Sequence, residues 1–182
     1  MALQELDNSN VDTHLGKTSS YSGEYNKELL VREPRSNNRE YLGINDDDLP
    51  FQGCDVWNGY EVSGLMNNGL PVNAIAKIVY SCDSKYIVES KSMKLYWNSF
   101  NMTKMGESEN EVTNNIAKRA IEDLGELLET GVSVHLYFPD AKPDEETIQD
   151  SGNFVHLELS ADDNVVYDVY KETPELLEFE ET

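Results

Sequence analysis

The sequence contains no apolar run near the ~20 residues that a membrane-spanning helix requires, so no segment of it is built to cross a bilayer in that way. Cysteine is scarce. Cys54 and Cys82 lie in different segments, without CxxC spacing and without a neighbouring histidine cluster. That pattern argues against a disulfide framework and against a zinc site, and leaves two reduced thiols as the expectation. The histidines His14, His135 and His156 stand far apart, the latter two inside alternating strand patterns, so no metal is assigned. Basic residues are few: 14 Lys and Arg against 35 Asp and Glu give a formal net charge of −21. Affinity for nucleic acid comes largely from cations placed at phosphates, and this balance argues against direct nucleic-acid binding. Met1 to Lys17 lacks the basic, apolar and small-residue succession of a secretory signal, so a cytoplasmic location is expected.

What is present suits one ordinary domain: 182 residues with 38% hydrophobic side chains are enough to bury a core, provided the polar ends are set aside. The charge is uneven. From Asp140 to Thr182 there are 14 acidic side chains and only Lys142 and Lys171 to oppose them. An anionic ligand is therefore expected on the earlier part of the chain.

Residues 1–48 are polar and read as an arm that packs on the domain, with apolar marks at Leu29, Leu30 and Val31 and at Tyr41, Leu42 and Ile44. Residues 49–160 hold the patterned module, and residues 161–182 an acidic C-terminal segment. Within the module, Val56, Trp57, Tyr60, Val62 and Leu65 suit a strand, Asn67-Asn68-Gly69 a turn, and Val72 to Tyr80 the returning strand of a hairpin. Met93, Tyr96, Trp97 and Phe100 recur at helical spacing over Ser90–Phe100, with Ser90 as the expected cap. Val112, Ile116, Ala120, Ile121, Leu124, Leu127 and Leu128 form the stripe of a longer helix, closed by Gly131. Strand alternation follows over 132–138 and again from Phe154 to Leu159, with a further candidate strand from Val165 to Tyr170. The expected order is ββααββ in an α+β fold.

Lys91 and Lys94 stand three apart on one helix face beside a helix N-terminus, where unpaired amides favour anions. On pattern alone, a lysine-decorated surface helix accounts for them as simply as a phosphate site does. The octapeptide Glu89-Ser90-Lys91-Ser92-Met93-Lys94-Leu95-Tyr96, however, resembles the signature of the NADPH-dependent 7-cyano-7-deazaguanine reductases. Leu15-Gly16-Lys17, Pro34-Arg35-Ser36, Asn38-Arg39, Leu49-Pro50-Phe51, Tyr60-Glu61 and Asn98-Ser99-Phe100-Asn101 are similar to the N-terminal half of that family's bimodular branch. The resemblance covers about residues 15 to 138. It implies a tunnelling fold, an antiparallel four-stranded sheet with two helices on one face, in modules that associate side by side. It also implies reduction of a nitrile to an amine with two NADPH per product, through a cysteine thiolate that adds to the nitrile carbon.

Carried over onto this sequence, the resemblance makes Glu89 and Ser90 contacts to the deazaguanine, and Lys91, Ser92 and Lys94 contacts to NADPH. The family's nucleophile and proton donor are missing: their places are occupied by Met66 and Val72, which have no ionisable group. The His-Glu pair is absent from Met102 to Asn110. No catalytic residue is therefore assigned. The expectation is a half-site that needs a complementing reductase module or a homo-oligomer, with a noncatalytic binding or assembly module as the alternative.

Overall fold

A computed structural model describes residues 23–139, 168–171 and 173–176. The chain divides into two compact units, Met1–Lys142 and Pro143–Thr182. In the second, a single 3-10 turn, Pro174–Leu176, is described. The expected strand over 154–159 and residues 165–167 lie outside the described residues, and residues 168–170 have no strand geometry.

The first unit is α+β. After a 3-10 turn at Lys27–Leu29 come β1 (Arg32–Pro34), α1 (Ser36–Tyr41), β2 (Cys54–Met66), β3 (Pro71–Ser81) and β4 (Tyr86–Val88). The helix α2 (Ser90–Ser99), β5 (Lys104–Gly106), α3 (Glu109–Leu128) and β6 (Val132–Tyr137) follow. The main sheet runs β5-β2-β3-β6, while β1 and β4 form a separate antiparallel pair. The sheet is mixed rather than wholly antiparallel, because β5 joins β2 in parallel, at Leu65 and Met66.

The hairpin β2–β3 forms where the turn chemistry predicts: Gly69 takes φ 91 and its N–H donates to the Met66 carbonyl at 2.8 Å. Its register contains one irregularity, since Gly59 pairs Ala76 and Val62 pairs Ala74, leaving Tyr60 and Glu61 opposite Ile75 alone. Two residues against one is a β-bulge, and it shifts the phase of the strand. Asp55, Trp57 and Gly59 face inward before it, and Val62 and Gly64 after it. This is why the apolar residues of β2 do not alternate cleanly in sequence.

Most of the stripe read on α3 is its buried face: Val112, Ile116, Ala120, Leu124 and Leu128 are at most 1% exposed, each large one contributing about 2 kcal/mol, whereas Ile121 is 40% exposed and Leu127 half-buried, off the centre of that face. These residues share a core with Val62, Ile78, Met93, Tyr96, Trp97 and Phe100. Both ends of α3 are satisfied. Ser108 accepts from the Glu111 N–H at 3.3 Å, and the Glu111 carboxylate accepts from the Glu107 N–H at 2.8 Å, a variant of the capping box. The C-terminus ends at Glu129 in left-handed geometry (φ 54) rather than at Gly131. Arg32 compensates: one guanidinium nitrogen donates to the Leu127 carbonyl and to the Glu129 carboxylate, both at 2.7 Å.

Residues 23–48 are tied down by polar anchors. The Tyr25 hydroxyl donates to Asp123 at 2.6 Å, beside the Tyr96 hydroxyl at 2.7 Å, so one buried carboxylate links this segment to α2 and α3. Arg35 and Arg39 are buried. Arg35 donates to Ser84 Oγ at 3.1 Å and to Asp55, while Arg39 donates to Asp46 at 2.7 Å and to the Cys82 carbonyl. The Pro-Arg-Ser and Asn-Arg motifs thus fasten α1 to the ends of β2 and β3.

Candidate functional site

The residues of the signature octapeptide lie at the start of α2, and the backbone there is held by the segment before β1. The Glu89 N–H donates to the Val31 carbonyl at 2.9 Å, continuing the β1–β4 ladder by one residue. The Val31 N–H donates to Ser92 Oγ at 3.0 Å, and Ser92 Oγ donates to the Glu89 carbonyl at 2.7 Å. Ser92 is 0% exposed, so in this chain its hydroxyl is a fastener within the fold and has no surface to offer a ligand.

Glu89, not Ser90, is the N-cap: its Oε2 accepts from the Ser92 N–H at 2.6 Å. Glutamate is an uncommon cap, and the shorter Ser is the residue that propensity favours. Its carboxylate also lies at the positive end of the helix dipole. The other oxygen, Oε1, is buried and has no hydrogen-bond partner. A buried carboxylate oxygen without a donor is costly, and such an oxygen at a helix start fits a ligand that brings N–H groups.

Ser90, Met93, Lys94, Trp97 and Asn98 follow at the spacing of one helix face, and that face forms one wall of a cleft of about 480 Å³. The opposite wall is Trp57 to Glu61 of β2, including both residues of the bulge. Ser90 and Lys94 are exposed at this cleft, whereas Lys91 is half-buried and does not line it. The structure therefore brings Ser90 and Lys94 together and sets Glu89 at the cap beside them. Met66 and Val72, at the far end of the β2–β3 hairpin, line no part of the cleft, and Val72 is buried.

Sequence reasoning missed the β2 wall. Trp57, Gly59 and Tyr60 fall in the stretch read as strand; Trp57 and Tyr60-Glu61 are also similar to the reductase pattern, which marked them without indicating a wall, and Gly59 carried no signal. Trp97 reads as core, and is 3% exposed, but its indole Nε1 is buried without an acceptor. Cys54 is an exposed free thiol and Cys82 a half-buried one; neither lies in the cleft.

Comparison with known proteins adds an independent line. Residues 21–136 match the family described as "Nitrile reductase, 7-cyano-7-deazaguanine-reductase N-term". The chain is 38% identical over 163 residues to the NADPH-dependent 7-cyano-7-deazaguanine reductase of Colwellia psychrerythraea, an alignment covering 90% of this chain and 54% of that protein. The chain spans about half the length of the curated relative it matches.

Proposed function

Because this chain belongs to the 7-cyano-7-deazaguanine nitrile reductase family, through the family's N-terminal module, we propose that it carries the cofactor-side half-site of an NADPH-dependent nitrile reductase. The observation that carries this reading is the divided Glu89 carboxylate, one oxygen closing the helix and the other buried and unpartnered. In this reading Glu89 Oε1 accepts from the N–H groups of the deazaguanine, and Ser90, exposed next to it, adds a hydroxyl contact. Lys94, at the cleft, and Lys91, on the adjoining flank, hold the phosphates of NADPH. Ser92 acts by keeping Glu89 in place.

Bound NADPH supplies the hydride. This chain's own residues bind and orient; the thiolate that must add to the nitrile has no counterpart at Met66, so a second module brings the nucleophile, the proton donor and the His-Glu pair. We take the unit as a tunnelling-fold module that associates by its sheet edges. Among the described residues nothing pairs with β2 from Cys54 to Gly64 on the side where β5 takes only Leu65 and Met66, and Val56 and Tyr60 are exposed along that strand. An open edge of that length favours pairing with another module.

The test is nitrile-dependent NADPH oxidation by the chain alone and mixed with an isolated C-terminal module of a bimodular relative, with Lys94→Ala as control. Turnover in the mixture only, with cofactor binding weakened at least about tenfold in Lys94→Ala, is the expected result. Robust turnover by the chain alone refutes the half-site. No turnover in the mixture, with neither NADPH nor deazaguanine bound, establishes the noncatalytic assembly module.

A further inference from the structure

Two buried polar atoms on α2 lack partners, and they are different in kind: an acceptor, Glu89 Oε1, and a donor, Trp97 Nε1. Their positions are eight residues apart, about 12 Å of rise along a helix axis. Trp97 is among the residues that line the cleft between α2 and β2, and Glu89 is not. The donor therefore belongs to a second subsite.

The β2 wall is shaped around that donor. A Cβ on Gly59 would lie 3.3 Å from Trp97 Nε1 and 3.5 Å from its Cδ1, so any side chain at this position would press on the indole N–H. Directly after Gly59, both residues of the bulge, Tyr60 and Glu61, line the cleft, continuing the wall begun by Trp57, Asn58 and Gly59. The cleft thus combines apolar surface from Trp57 and Met93, a donor at Trp97, a carboxylate acceptor at Glu61, and a cation at Lys94. Donor and acceptor beside flat apolar walls match a planar heterocycle whose edge carries an amino group next to an acceptor.

We propose that this cleft is a binding subsite for such a ring carried on a phosphate chain, with Trp97 Nε1 donating to the ring's acceptor, Glu61 accepting from its amino group, and Lys94 meeting the phosphate. The inference rests on the reading of Lys94 as a phosphate ligand. Adenine and the carboxamide of nicotinamide share the required edge, and the cofactor of the proposed reaction contains both.

All the residues invoked belong to this chain, so the full chain alone is the material for the test. With ¹⁵N-labelled tryptophan the protein gives two indole N–H signals, for Trp57 and Trp97, the latter identified by its loss in Trp97→Phe. The probes are adenosine 2′,5′-bisphosphate, nicotinamide mononucleotide and 7-cyano-7-deazaguanine, each also titrated by calorimetry. The expected result is a downfield shift of the Trp97 signal with one or both of the phosphorylated probes. Their affinity should fall about fivefold in Trp97→Phe, which keeps the ring but not the N–H, and in Gly59→Ala. If a phosphorylated probe binds and Lys94→Ala weakens it while the Trp97 signal stays fixed, the subsite is refuted and the phosphate reading stands. If neither phosphorylated probe binds, both fail. A Trp97 shift with the deazaguanine alone overturns the assignment to the phosphate-bearing ligand.

Discussion

Replacing Glu89 by alanine removes a helix cap and an unpartnered buried oxygen together, and the two losses have opposite signs. Loss of the bond from Oε2 to the Ser92 N–H costs about 1 kcal/mol, the usual value for an N-cap. Loss of Oε1, which is buried without a donor, returns about 1–3 kcal/mol of desolvation penalty. Glu89→Ala is therefore expected to leave stability about unchanged or to raise it by up to about 2 kcal/mol, so the melting point should fall by no more than about 4 °C for a chain of this size. Binding of 7-cyano-7-deazaguanine should fall at least about tenfold, because charge-assisted hydrogen bonds contribute roughly 1.5–3 kcal/mol each. Glu89→Gln separates the two roles, since its amide oxygen can still accept from Ser92 while its NH2 meets the ligand's donors with a donor. Differential scanning fluorimetry and isothermal calorimetry on the three proteins make the comparison. A melting point lowered by more than about 8 °C in Glu89→Ala, or an unchanged ligand affinity, would show that the buried carboxylate belongs to the fold and not to a site.

The hydroxyls of Tyr25 and Tyr96 have pKa values raised well above the ordinary phenol value, first by burial and then by the bond each makes to Asp123. The folded state holds protons that the unfolded chain releases near pH 10, so this stabilisation is complete below about pH 10 and is lost as the pH rises beyond it. Urea midpoints measured from pH 8 to 11 should fall steeply above 10 in the wild type and less steeply in Tyr96→Phe; equal slopes would sink the assignment. Gly64→Ala should destabilise by about 1–3 kcal/mol, because its Cβ would come within 2.9 Å of Ile116 Cδ1 and 3.2 Å of Val112 Cγ1. A urea midpoint unchanged by that substitution would mean that α3 and β2 are not closely packed there.

The parts of this fold legible from sequence are those whose periodicity extends over several turns or pleats. The stripe from Val112 to Leu128 has one consistent face over five turns, and the Asn67-Asn68-Gly69 turn fixes the hairpin locally. The strands β1, β4 and β5 have three residues each and no periodicity to read; they exist because they pair with distant partners. The ends of helices misled for a similar reason. Glu89 displaces Ser90 as cap, and Glu129 displaces Gly131 as terminator, because Ser92 and Arg32 supply bonds that local propensity does not contain. In the site, the octapeptide singled out Ser90 and Lys94 of the α2 wall, whereas Met93 and Trp97 read as core; the bulge at Tyr60 and Glu61 in the β2 wall is a property of two strands together and appears in neither alone.

That bulge lets β2 hold one extra residue without disturbing the faces on either side of it. Gly59, opposite Ala76, and Val62, opposite Ala74, both face inward, with two residues between them where β3 has only Ile75. Deleting Tyr60 or Glu61 would leave a single residue opposite Ile75, so the ladder would become regular while Trp57, Gly59, Val62 and Gly64 kept their inward faces and Asp55 its bond to Arg35. The bulge is thus the place where this strand can shorten by one residue and keep its pairing. Among descendants of this sequence, a loss of length within β2 should be found first at positions 60 and 61.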